Sequence, residues 1–359
     1  AGWTGYCIAM CMYDQKGVRV RSTYRSVGHA CFGQPGERLV FVMQMTNLVS
    51  VCVVFLVLIG STLHSTHHLV EDSIGGMGLP KADRRLWTAL ATVAALPTVH
   101  IGGFRKISYL SMAGTLLLVV IVVLGVSLSA TRIAEHGAHP MPSTQLQHVP
   151  AAFSIYVFAF SCHGIIPELE SSMARPSAFG RVVGVVFFIN MLTKALFALL
   201  SYFAFGSMTE LVASDNFSQV PKVVISLLVA INTLLTFPMP LVPVFGALVV
   251  AQGGPKPTRD ALQRTALVIF CGCVAVAVPD FGLAMGFVGS FTLAFLTFIF
   301  PSIFYVRLHR ERLQPGTIIA CYAVALVGVL GCVAGLVSNI LLVINGRPGD
   351  ASPPPPPPL

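Results

Sequence analysis

Charged residues are scarce in this sequence, and their scarcity excludes an ordinary soluble domain. Only 10% of the 359 residues are charged, whereas 55% are hydrophobic. A soluble globular domain carries about 25% charged residues. Several apolar runs also reach the roughly 18 residues that a helix needs to cross a bilayer. The composition therefore predicts an all-α polytopic membrane protein.

Acidic residues are scarcer than basic ones, but this imbalance does not indicate a nucleic-acid partner. The chain has 14 Asp and Glu against 22 Lys and Arg, which gives a net charge of +8. The basic residues fall in short clusters between apolar runs, where the topology of a membrane protein places them. We therefore predict contact with membrane lipid and no nucleic-acid binding.

The motifs of common enzymes and metal sites are also missing. The sequence contains no P-loop, no H-E-x-x-H and no nucleophile elbow, so we predict neither an enzyme nor a cofactor. None of the nine cysteines pairs at a zinc spacing. His64, His67 and His68 cluster in one loop, as metal ligands or pH sensors do. Because no carboxylate or cysteine accompanies them at ligand spacing, we predict no metal site.

Nine apolar segments are the predicted spans of a transmembrane domain that covers residues 1–346. Three prolines, Pro238, Pro240 and Pro243, are expected to bend the sixth. The proline-rich tail, 347–359, is expected to be a solvated polyproline II segment. The spans are 39–63, 86–103, 107–130, 150–167, 182–206, 223–251, 265–278, 283–306 and 317–344.

The fourth span contains an interruption around which the chain is organised. Apolar residues from Phe153 onward give way to the small and polar run Ser161–Gly164, and Pro167 follows. Gly164 weakens a helix, and Pro167 disfavours the α conformation at Ile166. A helix that opens at membrane depth has to line a cavity or be buried in protein. Such helices hold substrate in secondary transporters, although a kink without any ligand fits the same residues.

Three charged residues lie within or beside the spans. Lys194 falls near the middle of the fifth span, so we expect it to face the bundle interior in a functional or an ion-pair role. Glu168 and Glu170 follow the interruption and are expected to be solvated at the membrane edge. A gating salt bridge from them to Arg175 or Arg181 is the alternative.

The basic residues also predict an orientation. If the connector 14–38 is inside, fifteen Lys and Arg residues fall inside and six outside, which fixes the sign by the positive-inside rule. The only N-x-[ST] sequon, at Asn216, then lies in an outer loop, where it is a candidate glycosylation site.

Several segments resemble a known family, the amino acid/auxin permeases. FAFSCHGIIPELESSMARPSAF is similar to that family's sixth helix, and KALFALLSYFAFG is similar to its seventh. VPDFGLAMGFVGSFTLAFLTFIFPSIFYVRL is similar to its ninth-to-tenth-helix segment. VRVRSTY and LTKALFALLSY look closest to the vesicular inhibitory amino acid transporters. The resemblance covers nearly the whole chain.

The resemblance implies an inverted-repeat (LeuT-like) transporter bundle that here lacks its first helix and most of its second. It implies proton-coupled secondary transport of small neutral amino acids, possibly γ-aminobutyrate or glycine, in a vesicle membrane, with the plasma or lysosomal membrane as alternatives. A non-transporting amino acid sensor, or an inactive truncated form, is the competing expectation. An uptake assay separates the two, since a sensor binds without accumulating substrate.

The resemblance also assigns roles to individual residues. The substrate-binding residues would be Phe158, Phe160, Ser161, Cys162, His163 and Gly164. Lys194 and Glu168 would serve coupling or gating. Asn47, Thr233 and Thr236 would line the path, although hydrogen bonding between helices explains them equally well.

Overall fold

The computed structural model describes residues 1–14, 16–73, 83–101, 104–140, 146–278 and 280–344. The predicted tail lies outside these residues. The described residues form thirteen helical segments and no β-sheet, which confirms the all-α class, and the second segment is broken by non-helical backbone at Phe32 and Gly33. The helices are α1 (Gly2–Met10), α2 (Tyr24–Ser73), α3 (Arg84–Val99), α4 (Phe104–His136), α5 (Val149–Phe160), α6 (Ile166–Ser172), α7 (Phe179–Phe205), α8 (Gln219–Thr236), α9 (Leu241–Ala251), α10 (Pro257–Ala277), α11 (Phe281–Val288), α12 (Phe300–His309) and α13 (Pro315–Ile344).

Helix length identifies a multi-pass membrane protein. Among the described residues, seven helical segments are long and apolar enough to cross a membrane. All nine predicted spans coincide with helices, but two of them are short. Helix α3 has 16 residues, which corresponds to about 24 Å against a hydrocarbon core of about 30 Å. The other is the interrupted segment that begins with α5.

Proline divides the predicted sixth span, as expected. Helix α8 ends at Thr236, a turn follows, and α9 begins at Leu241. Pro238 and Pro240 lie in this turn, because proline lacks the amide hydrogen that a continuing helix needs. The turn brings Met239 and Pro240 toward the interrupted helix.

Two large apolar clusters and one small one form the core, and three helices also keep many apolar side chains outside. One cluster joins α2 and α3 to α8, α9 and α10, and the other joins α1 and α2 to α6, α7 and α12. Helices α4, α7 and α13 expose many large apolar side chains, among them Val123, Phe188 and Leu330. Exposed apolar area on this scale marks a surface that contacts lipid rather than water.

Small residues allow three helices to meet closely, as the sequence GFVGS predicts. A Cβ atom on Gly289 would lie 2.0 Å from the carbonyl oxygen of Ser154, and one on Gly335 would lie 2.2 Å from its hydroxyl. The Ser290 hydroxyl donates to Ser154 Oγ at 2.7 Å, and Asn339 Nδ2 donates to Ser290 Oγ at 3.2 Å. This contact holds α5 against the α11–α12 segment and α13.

Candidate functional site

The interruption predicted in the fourth span is present, and it begins three residues before Gly164. Helix α5 ends at Phe160, and Ser161 takes an extended conformation with φ −97° and ψ 120°. A single 3-10 turn follows at His163–Ile165, and α6 begins at Ile166. The expected effect of Pro167 was wrong, because Ile166 is helical with φ −56° and ψ −47°. Proline occupies the first turn of α6, where its missing amide hydrogen costs nothing.

A second irregular segment faces the interruption. Between α11 and α12 the backbone forms π-helical turns at Gly289–Leu293 and Phe295–Ile299. The hydroxyls of Ser161 and Thr297 share a hydrogen bond. Wide π turns of this kind recur at functional sites. Thr297 was not predicted as a site residue. No local signal marked it, because GSFTLAFLTFI reads as an ordinary helical sequence.

Helix α2 supplies the polar groups on a third side. The Thr292 hydroxyl donates to Asn47 Oδ1 at 3.2 Å, and Gln44 Nε2 donates to the carbonyl oxygen of Gly164. Both amide side chains are buried. Gln44 therefore satisfies one backbone group that the interruption frees, as a break at membrane depth requires. Sequence reasoning placed Gln44 on the span but assigned it no role.

A partly open cavity of about 230 Å³ lies beside the interruption. Its polar lining comes from four elements, namely α2, the interruption, the 3-10 turn and α8. The predicted site residues Ser161, Cys162, His163 and Gly164 line it together with the predicted path residues Asn47 and Thr236. The remaining lining residues are Leu48, Val51, Phe55, Ile165, Met239 and Pro240.

His163 is completely buried at the edge of this cavity. Its Nε2 atom lies 3.1 Å from Thr4 Oγ1 and 3.1 Å from the carbonyl oxygen of Ala1. The carbonyl oxygen has no proton, so Nε2 is assigned as the donor and Nδ1 as the acceptor. Nδ1 has no hydrogen-bond partner within the described part of the chain. Nδ1 is therefore a buried atom with unused acceptor capacity.

Lys194 contacts the end of α5 rather than a carboxylate. Its Nζ atom donates to the carbonyl oxygen of Ala159 and lies 4.6 Å from the ring centre of Phe160. The last carbonyl groups of a helix have no partner inside the helix, and a cation there also suits the helix dipole. Lys194 thus caps the half-helix that leads into the interruption.

Three of the predicted site residues lie apart from the cavity lining. Phe158 packs with Val54, Ala284 and Met285 in a small apolar cluster. Phe160 packs against Tyr156, with ring centres 4.6 Å apart. Thr233 is buried, and its hydroxyl donates to the carbonyl oxygen of Val229 on its own helix at 2.7 Å.

The expectation that Glu170 is solvated was wrong. Glu170 is completely buried, and its Oε2 atom lies 3.0 Å from Arg19 Nη2 rather than near Arg175 or Arg181. The Tyr13 hydroxyl donates to its other oxygen. Partial burial, together with this carboxylate, raises the pKa of Tyr13 to about 12. Glu168 belongs to α6, but its side chain lies outside the described part of the structure.

The remaining predicted residues lie away from the cavity. Asn216 ends a 3-10 turn before α8, and its Oδ1 atom accepts the amide hydrogen of Glu210 at 2.7 Å. The ring of His67 packs against Trp87, with ring centres 5.4 Å apart, and the side chain of His68 lies outside the described residues. No cluster of three metal-binding side chains occurs among the residues that were placed.

Comparisons with known proteins identify the family of this chain. A family profile described as "Transmembrane amino acid transporter protein" matches residues 1–341. Amino acid transporter AVT1B of Arabidopsis thaliana is 30% identical over 351 residues, which cover 96% of this chain and 63% of that protein. The vesicular inhibitory amino acid transporter of Mus musculus is 27% identical over 365 residues, which cover 94% of this chain and 67% of that protein. The chain thus spans about two thirds of the length of these relatives.

Proposed function

The chain belongs to the transmembrane amino acid transporter protein family, and from this premise we propose that it carries small neutral amino acids across a membrane by secondary active transport. The observation that carries the proposal is the cavity at the interrupted helix. An interruption frees backbone N–H and C=O groups at membrane depth, and transporters use such groups to hold charged ends of a substrate.

The lining of the cavity favours a neutral amino acid. Its polar side chains are those of Asn47, Ser161, Cys162, His163 and Thr236, and none of them is a carboxylate, lysine or arginine. Backbone groups can serve the ammonium and carboxylate of a zwitterion. A third charge on the substrate would find no opposite charge among these residues. Burying an unpaired charge costs far more than burying a paired one.

The size of the cavity favours a small substrate. Its volume of about 230 Å³ lies below the roughly 300–1,000 Å³ of pockets that bind drug-sized ligands. At about 30 Å³ per water molecule, it would hold roughly seven or eight waters. That space suits glycine, alanine or γ-aminobutyrate better than a large aromatic amino acid.

We propose inhibitory amino acids, γ-aminobutyrate or glycine, as the substrates, a proton gradient as the driving force and a vesicle membrane as the location. The name of the vesicular inhibitory amino acid transporters supports the substrate and the location. An inverted-repeat bundle that alternates its access around the interruption would provide the mechanism. Phe158 and Phe160 would support the interruption from behind, and Thr233 would stabilise the helix that presents Thr236.

An uptake assay tests this proposal. The chain is reconstituted into vesicles, and accumulation of labelled γ-aminobutyrate, glycine and alanine is compared with that of glutamate and lysine, with and without a proton gradient. We expect accumulation of the neutral substrates that disappears when a protonophore collapses the gradient. Binding without accumulation would favour a sensor instead.

Thiol labelling tests the location of the site independently. Cys162 and Cys273 are the exposed cysteines, and only Cys162 lines the cavity. A saturating substrate should protect Cys162 from a maleimide and leave Cys273 on α10 unprotected. A Cys273→Ser variant isolates the first signal, and a Cys162→Ser variant isolates the second. Equal labelling of Cys162 with and without every tested amino acid would contradict a substrate site there.

A further inference from the structure

The buried carboxylate at the end of α6 has no role in the cavity described above. Glu170 lies four residues after α6 begins, and its two oxygens contact two residues of the connector between α1 and α2. Tyr13 donates its hydroxyl to Oε1, and Arg19 places Nη2 3.0 Å from Oε2. The connector itself is closed by an isolated antiparallel bridge between Tyr13 and Arg19. One carboxylate therefore joins α6 to both ends of a short, self-bonded turn.

Charge attraction holds this contact more than hydrogen-bond geometry does. Arg19 Nη2 and Glu170 Oε2 are close, yet neither atom has an aligned hydrogen-bond partner among the described residues. The Arg19 side chain keeps 30% of its surface exposed, whereas Glu170 is completely buried. Removing one partner of a buried ion pair is strongly destabilising, but an arginine that still reaches solvent can leave and be hydrated. Loss of one partner is thus costly, yet the contact is able to open.

The contact lies between two cavities. A second cavity, of about 510 Å³, adjoins the contact and is lined by Tyr13, Asp14 and Glu170 together with His309 at the end of α12 and Arg312 after it. The cavity at the interruption is lined by Ser161–Ile165, and Ile165 immediately precedes α6. Between the two, Ile166 is buried against α1, where a Cβ on Gly5 would lie 3.2 Å from its Cδ1. Helix α6 therefore lies between the substrate site and this second cavity, which we call the vestibule.

We propose that Glu170, Arg19 and Tyr13 form a latch that holds α6 across the path from the substrate site to this vestibule. Release of the latch lets α6 move away from α1 and opens the site to the face that carries the connector. Asp14, His309 and Arg312 line the vestibule, so the separated charges of Arg19 and Glu170 meet polar groups there. The role of the latch in transport rests on the proposed function. The closure of the path by α6 does not.

Labelling of Cys162 from one side of the membrane tests the latch without any uptake measurement. In the Cys273→Ser background, a membrane-impermeant maleimide is applied to the connector face of sealed vesicles. Because the latch biases a closed state, Arg19→Ala and Glu170→Gln should raise the labelling rate of Cys162 about tenfold, and Arg19→Lys by less. Tyr13→Phe removes a single hydroxyl and should raise the rate by a smaller factor.

A matched control distinguishes the latch from a general loss of charge. Arg25 Nε lies 2.6 Å from Glu37 Oε1 near the start of α2, close to the connector in the chain. Arg25→Ala should leave the labelling of Cys162 unchanged. Detergent melting verifies that each variant folds. If the Arg19 and Glu170 variants do not fold, Tyr13→Phe supplies the test. Labelling rates that stay within about twofold of the Arg25→Ala control in every folded latch variant would overturn the proposal. If the latch variants raise the labelling of Cys162 but the chain takes up no amino acid, the proposed function is contradicted and the latch is not.

Discussion

At the scale of single residues, Lys194 shows how a charge within the membrane is accommodated. A lysine there is expected to be paired, and sequence reasoning anticipated a functional or an ion-pair role without naming a partner. The structure instead gives it the carbonyl oxygen of Ala159 and the face of Phe160. Both contacts lie at the last turn of α5, directly before Ser161. Lys194 therefore fixes the position from which the opened backbone begins.

Replacement of Lys194 should impair transport more than it impairs folding. Lys194→Met removes the cation and leaves the Ala159 carbonyl without its partner, which costs about 1.5–3 kcal/mol for a charged hydrogen bond. We expect uptake by reconstituted vesicles to fall roughly tenfold to a hundredfold. Lys194→Arg keeps a cationic donor and should retain part of the activity.

The control for this prediction is Lys106→Met, because Lys106 is exposed near the start of α4. That variant should transport as the unaltered chain does. Uptake by Lys194→Met that equals the control, with unchanged dependence on pH, would show that the intramembrane charge is incidental.

At the scale of elements, the sequence predicts features that depend on neighbouring residues and misses contacts between residues that are far apart in the chain. The nine helical regions and the proline turn after Thr236 follow from apolar length and from the missing amide of proline. The π turns between α11 and α12 do not, because GSFTLAFLTFI is an ordinary helical sequence. Their hydroxyl contact to Ser161 spans 136 residues. The contact of Glu170 with Arg19 was missed for the same reason, since chain separation hides the partner.

The glycines that pack α5 supply a test at this scale. Gly289→Ala would place a Cβ 2.0 Å from the backbone oxygen of Ser154, and backbone cannot rotate away as a side chain can. Overpacking of this kind typically costs about 1–3 kcal/mol. We expect a lower melting temperature in detergent and a loss of uptake, because α5 carries the start of the interruption.

Gly184→Ala is the matched control for the packing prediction. A Cβ on Gly184, in α7, meets nothing within 4 Å. The substitution also replaces the poorer helix former with the better one. The control should therefore melt at the same temperature as the unaltered chain or higher. If the Gly289→Ala variant melts at the same temperature as the unaltered chain, α5 and the π-helical segment can move apart at little cost.

At the scale of the whole molecule, the connectors sort onto two opposite faces. The vestibule brings together the connector after α1, the segment before α7 and the residues after α12. At the other face, Asp215 pairs with Lys222 at 2.9 Å and accepts the Ser65 hydroxyl at 2.6 Å, near the end of α2. Arg132, near the end of α4, donates to the carbonyl oxygen of Ala204 at 3.1 Å. Helices α2 and α7 therefore cross from one face to the other, as the predicted alternation requires.

This alternation turns the sequon at Asn216 into a test of orientation. Asn216 lies next to Asp215, on the face opposite the basic connector, and the positive-inside rule places that face outside. In cells with a secretory pathway, the protein should therefore shift on a gel after glycosidase treatment, and Asn216→Gln should abolish the shift. Because the Asn216 side chain also accepts the Glu210 amide hydrogen, Ser218→Ala serves as a second variant that removes the sequon and keeps this contact. Cleavage of the 207–221 loop in intact vesicles by a protease confined to the cytosolic side would reverse the assigned orientation, and with it the side to which the Glu170 latch opens.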